Sequence, residues 1–332
     1  MDDSGQAIEV ARLIVVILAE PDDWQESRKA VERLVEIGEP AVNPLIQALS
    51  PSSDGTEYLI EALGKFRDRR AVDFLVPYVQ HDSYEICDAA ATALGRIGDT
   101  RIIETLIASV RGLPEARQII IPVQGVHKTL ARLGPPAFGP LVAGLKDEDD
   151  GVRWTSASAL GEMRDARAVA PLIDMLTDSA SFVRSAAAIS LSQIGDARAI
   201  DALVTTMSDP NMFVRIEAIN ALGYLVKGEL FAPLVAALDD PFITVRRAAI
   251  SALARCAGPA SVDLLLARIE DPNPCIRIEA LMSLSMVGDI SFVSLFESIR
   301  AQDEGSCLDQ TVKDAANYAI VNIKNWHKAR SG

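Results

Sequence analysis

Leu63 and Leu94 stand 31 residues apart, and Leu160, Leu191, Leu222, Leu253 and Leu284 follow one another at the same interval. A period of that length, held over hundreds of residues, restricts the chain to a stacked array in which each repeat is one supersecondary unit that needs its neighbours to bury its apolar side. Leu34 and Leu130 join the series at spacings that differ by a few residues, and Ile320 fits as a degenerate terminal member, which makes about ten units.

The text around each anchor encodes two helices. Val183, Ala187, Leu191 and Ile194 recur three and four residues apart, one face of a 3.6-residue period, in a stretch too long and too rich in alanine for a strand. Gly38, Gly98, Gly134, Gly195 and Gly288 all fall four residues after an anchor, where a left-handed residue ends a helix. Asp68, Asp99, Asp165, Asp196 and Asp289 come next as N-caps of a second helix, in which Pro171 and Pro233 sit early, where proline is tolerated. With 49% apolar but only 5% aromatic residues, the core is built from Leu, Ala, Ile and Val, the palette of close-packed helices. The expected fold is an all-α solenoid of antiparallel helix pairs.

Regularity varies along the chain. Residues 1–50 read as an N-terminal capping unit, 51–146 as less regular units with an insertion at 111–122, 147–300 as regular units, and 301–332 as a C-terminal capping helix. The insertion RGLPEARQIIIP holds Gly112 and Pro114 and is expected to expose Ile119 to Ile121 on a loop.

In the regular region the sequence resembles, through D-x₅-R-x₂-A-x₃-L-G-x₂-G-D-x-R-A, the short HEAT repeats named after phycobilisome lyases. The resemblance covers nearly the whole chain. It implies a right-handed superhelix in which the helix carrying V-R-x-x-A-x-x-A-L lines the concave side.

A ladder runs through the same region: Asp147, Asp178, Asp209, Asp240 and Asp271 precede Arg153, Arg184, Arg215, Arg246 and Arg277 by six residues each. Carboxylate and guanidinium at fixed spacing suit bidentate pairing within and between units, a structural role rather than an anion-binding stripe. Thr56, Cys87 and Val123 replace the arginine earlier in the chain, so stacking there is expected to be less regular.

Candidate partner-binding residues are those of the concave helix that packing does not dictate: Tyr58, Trp154, Ile189, Ile216, Tyr224, Met282 and Met286. Aromatic and Met side chains on an exposed ridge are the anchors that protein interfaces favour. Among them lie charges of both signs, including Glu61, Lys65, Lys128, Arg132, Glu162, Glu217, Arg247, Arg255 and Glu279, a mixture that suits a peptide better than a nucleic acid. The net charge of −14 disfavours phosphate backbones and anionic membranes alike.

Nothing points to catalysis by a known motif. His81, His127 and His327 are scattered, no H-E-x-x-H or paired histidines appear, and the repeated His-Glu pairs of HEAT-like iron hydroxylases are missing. No phosphate loop or nucleophile elbow is present either. Cys87, Cys256, Cys275 and Cys307 lack ligand spacing and read as reduced core residues, and the acidic N-terminus carries no signal-peptide pattern. The expectation is a monomeric cytoplasmic scaffold or adaptor that binds a protein or peptide on the concave face, with no cofactor or metal. Two alternatives come from the resemblance: a bilin-lyase-like protein holding a tetrapyrrole and its acceptor, and a HEAT-like nucleic-acid-binding protein.

Overall fold

Leu34, Leu63, Leu94, Leu130, Leu160, Leu191, Leu222, Leu253 and Leu284 are all completely buried, and Ile320 nearly so. Each of these leucines lies in the C-terminal part of a helix longer than its successor in the chain. The computed structural model describes residues 3–19, 24–50, 55–112, 121–228, 230–287 and 289–331. It divides into two compact units, Met1–Ala168 and Val169–Gly332.

The first unit contains α1 (Asp3–Ala19), α2 (Trp24–Ile37), α3 (Val42–Ala48), α4 (Thr56–Phe66), α5 (Val72–Leu75), α6 (Tyr84–Ile97), α7 (Ile103–Ser109), α8 (Ile121–Leu133), α9 (Pro135–Gly144) and α10 (Asp150–Met163). Helices α2, α4, α6, α8 and α10 stack side by side as one layer, and the shorter helices between them form the other. The close approach has a local cause. A Cβ on Gly64 would lie 2.6 Å from the Cα of Ala93, so glycine beside the anchor Leu63 lets α4 and α6 meet almost backbone to backbone.

The second unit repeats the scheme with α11 (Val169–Met175), α12 (Ser181–Ile194), α13 (Ile200–Thr206), α14 (Met212–Leu225), α15 (Ala232–Ala236), α16 (Ile243–Ala257), α17 (Val262–Arg268), α18 (Pro274–Val287) and α19 (Phe292–Gln302). A small hairpin then pairs β1 (Ser306–Cys307) with β2 (Gln310–Thr311), Cys307 opposite Gln310, before α20 (Val312–Ser331) packs on α18 and α19. The expectation of a single capping helix over 301–332 therefore misses the hairpin, which carries no repeat signal.

The caps work as their sequence suggests, with an addition. Asp68, Asp99, Asp165 and Asp196 each accept the backbone N–H two residues on, and each also grips the guanidinium of that residue: Arg70, Arg101, Arg167 and Arg198. A single 3₁₀ turn then leads into the short helix, as at Arg69–Ala71 and Ala197–Ala199. Gly98 and Gly195 end their helices in the left-handed conformation. Arg67 and Arg164 take the same position at φ 55° and 52° without being glycine, so packing on either side imposes a turn that the residue itself disfavours. Gly288 lies outside the described residues.

The ladder is built between successive repeats, and its within-repeat half differs from expectation. Arg184 donates from Nε and Nη2 to the Asp209 carboxylate at 2.7 and 2.9 Å, while Nη1 donates to the backbone carbonyl, not the carboxylate, of Asp178 at 2.8 Å. Arg215 treats Asp240 and the Asp209 carbonyl in the same way. Arg277 reaches Asp303, an acid outside the regular series, at 2.7 and 2.9 Å. Each aspartate also accepts the backbone N–H two residues later, which shapes the turn into the next long helix. Asp147 instead takes Arg111, at the start of the insertion, at 2.7 and 2.6 Å, and Arg153 binds the Asp147 and Glu148 carbonyls. Arg246 keeps its bonds to the carbonyls of Asp240 and Pro241, but a cleft of about 710 Å³ opens between it and Asp271. Residues 113–120 of the insertion, including Pro114, Ile119 and Ile120, lie outside the described residues.

Burial opposes ionisation of Asp209, yet the Arg184 hydrogen bonds, the Asn211 N–H and the charges of Arg184 and Arg215 outweigh it and hold the carboxyl below its usual range. Hydrogen bonds from Arg101 and Arg198 bring Asp99 and Asp196 to about 2. These acids bind protons more weakly folded than unfolded, so their stabilisation is complete above the unfolded value of about 4 and is lost as pH falls below it. Thermal melts are expected to show a constant Tm down to about pH 5 and a steep fall toward pH 2. Asp209→Ala strands the Arg184 guanidinium, whose side chain is only 13% exposed. It should cost about 2–4 kcal/mol in chemical denaturation at pH 7; an unchanged midpoint would show that the pair holds nothing.

Candidate functional site

Because one repeat is one helix pair, residues 31 apart occupy matching places on successive long helices and form columns across the layer. Two residues past each anchor, the second unit carries Gln193, Tyr224, Arg255 and Met286. One turn earlier it carries Ile189, Asn220, Ser251 and Met282. Tyr224 is 54% exposed, Met286 59% and Ile189 41%. Ile216 and Met282 are half-buried beside them. Three of the seven expected ridge residues thus stand open to solvent on this unit and two flank them.

The polar groups between them are organised. The Arg255 guanidinium lies over the Tyr224 ring, 4.8 Å from its centroid, and donates to Ser251 Oγ at 2.9 Å and Asn220 Oδ1 at 3.1 Å. Burial raises the carboxyl of Glu217 above its usual range, and a hydrogen bond with the Asn220 side chain offsets this only in part. Arg247 is paired with Glu279 across α16 and α18 at 3.0 Å.

In the first unit the remaining two candidates are packed rather than presented. Trp154 is half-buried and meets the buried His127 ring edge-on at 5.6 Å, which ties α10 to α8. Tyr58 is also half-buried, and burial raises its hydroxyl pKa. The charges there compensate one another: Lys65 with Glu61 at 2.9 Å, and Lys128 and Arg132 with Asp88 at 3.5 and 3.4 Å. Lys128 also sits over the exposed ring of Tyr84.

Two features were not legible as site elements. Cys275, in the first turn of α18, is joined to Cys307 on the hairpin by a disulfide with the Cα atoms 5.0 Å apart, which corrects the reading of both as reduced core residues. No ligand-like spacing marks them, because the pairing depends on how the hairpin folds back. The hairpin thereby closes a cleft of about 250 Å³ over Arg247 and Ile278 and presents Leu308, 93% exposed, at its tip. Cys87 and Cys256 are buried outside the disulfide, and burial raises both thiols. Among the described residues, no three His, Cys, Asp or Glu side chains converge as metal ligands would.

The two aromatic candidates are therefore expected to behave oppositely. Trp154→Ala should lower stability by about 2 kcal/mol through a cavity between α8 and α10, whereas Tyr224→Ala should change it by less than about 0.5 kcal/mol. Urea denaturation of both variants checks the contrast.

A family model of HEAT repeats matches residues 42–120, 125–192, 183–228 and 231–320. No curated protein sequence matches the chain. Among solved structures, a mutant of the karyopherin Kap121p is similar with a TM-score of 0.60 at 13% identity, over 94% of this chain and 40% of that one, a likeness of fold. Human deoxyhypusine hydroxylase in complex with glycerol shares 22% identity over 76% of this chain and 97% of its own, and an engineered protein shares 20% over 98% and 96%. Their TM-scores of 0.33 and 0.41 are too low to bear on function.

Proposed function

This chain belongs to the HEAT-repeat family, and from that premise we propose that it is a non-catalytic scaffold or adaptor that binds a segment of a partner protein across the long-helix face of its second unit. The single observation that carries the reading is the set of Ile189, Tyr224 and Met286, large apolar side chains left open on a face where Ile216 and Met282 are half-buried beside them. Such residues desolvate well and are the types that interfaces concentrate at their centres. The chain's acidity argues against a duplex as the occupant.

One observation favours a second reading, kinship with the phycobilisome-lyase type of repeat. Tyr224 and Arg255 together offer a ring face and a guanidinium, the pair of contacts that a tetrapyrrole with its propionates would use.

Selection of a displayed peptide library on the wild-type protein tests the first reading. Enriched peptides should bind the wild type and lose at least about tenfold in affinity to Tyr224→Ala/Met286→Ala, a loss of about 1.4 kcal/mol. Peptides that bind the double variant equally well would remove the site. Retention of added free bilin, seen by its absorbance and lost in Tyr224→Ala, would move the assignment to the chromophore reading.

A further inference from the structure

Arg255 is unusual among the charges on this face. Arg247, two helical turns away on the same helix, is neutralised by Glu279. Arg255 is held by neutral groups alone, the Ser251 hydroxyl, the Asn220 carbonyl oxygen and the Tyr224 ring, and its Nε–H is shut off from solvent without an acceptor. The nearby Glu217 accepts a hydrogen bond from the Asn220 side chain, so the amide stands between the acid and the guanidinium. Among the described residues, Arg255 has no carboxylate partner in a chain with 46 acidic and 32 basic residues. A guanidinium positioned by three groups but neutralised by no acid among the described residues is complementary to a carboxylate brought by a partner.

Its place in the column fixes the neighbours of that acid. Tyr224 lies one repeat before Arg255 and Met286 one repeat after, so the order across α14, α16 and α18 is aromatic, cation, thioether. Stacked helices are about 8–10 Å apart, and an extended chain in the polyproline-II conformation advances about 3.1 Å per residue with three residues per turn, so every third side chain returns to the same face. Such a segment laid across the helices therefore presents one side chain to each successive helix of the column at every third residue.

We propose that the second unit recognises an extended acidic segment of a partner protein with the register apolar-x-x-acidic-x-x-apolar, in which the carboxylate of the central Asp or Glu pairs with Arg255 and the flanking apolar residues cover Tyr224 and Met286. The inference rests on the scaffold reading and gives its partner a chemistry. The occupant is a monoanionic side chain, because one guanidinium answers one carboxylate and the acidic chain repels a denser anion.

The test uses the full chain and labelled nine-residue peptides carrying leucine at the second and eighth positions and glutamate at the fifth, measured by fluorescence anisotropy. Replacing the glutamate by glutamine should weaken binding to the wild type about tenfold and leave binding to Arg255→Gln unchanged, with Arg255→Lys intermediate because it keeps charge but loses the fork. Moving the leucines one residue closer to the glutamate should also weaken binding about tenfold. Circular dichroism of the variants confirms that the fold persists. Equal losses for glutamine in the wild type and in Arg255→Gln, or indifference to leucine spacing, overturns the inference. If library-selected peptides still depend on Tyr224 and Met286 in that case, the scaffold reading stands without it. If a phosphoserine peptide binds and the glutamate peptide does not, the monoanion assignment is wrong.

Discussion

A helix of fourteen residues with leucine and alanine on one side cannot bury that side alone, and everything else in this protein depends on the need to bury it against the next copy. The solution recurs every 31 residues, so a requirement of packing becomes a rule of position. The anchor leucine goes inward, the small residue beside it sets how closely helices approach, and the residue two past it faces out. Gly223 against Ala252 shows the tolerance: an added Cβ would come within 2.9 Å of the neighbouring Cα.

Polar groups fix the register that apolar burial leaves loose. Leucine contacts are nearly indifferent to small shifts, whereas a guanidinium bonded to one repeat's carbonyl and the next repeat's carboxylate is not. Arg184, Arg215 and Arg277 make this bridge, and the aspartate on the far side also shapes the turn that follows it, into the next long helix at Asp209 and Asp240 and into the hairpin at Asp303. One ion pair thus serves a junction and a cap together. The cost is partial desolvation of both charges, offset by the number and direction of the bonds.

The same division decides where binding can reside. Positions under packing duty are filled by Leu, Ala, Gly and Ser, and the columns free of it hold the varied residues: Tyr224, Arg255 and Met286 in one, Ile189, Asn220 and Met282 in another. Trp154 occupies a free column by phase yet is engaged by His127, because α8 carries a ring at the facing place. Helical phase identifies which residues face outward from their own helix; it does not say whether a neighbour rises to meet them.

The periodicity determined the all-helical repeat fold, the buried anchors, the aspartate caps and the outward columns, because each depends on residues near in sequence or related by one fixed interval. The tertiary structure decided the rest: that the ladder arginines bind a carbonyl behind and a carboxylate ahead, that Asp303 replaces a repeat acid for Arg277, that Arg67 and Arg164 accept a left-handed turn, and that Cys275 meets Cys307. Asp303 and the disulfide join segments with no common period, and the ladder's choice between carbonyl and carboxylate depends on side chains whose reach and direction exist only once the backbones are in place, so the sequence pattern alone could not select them.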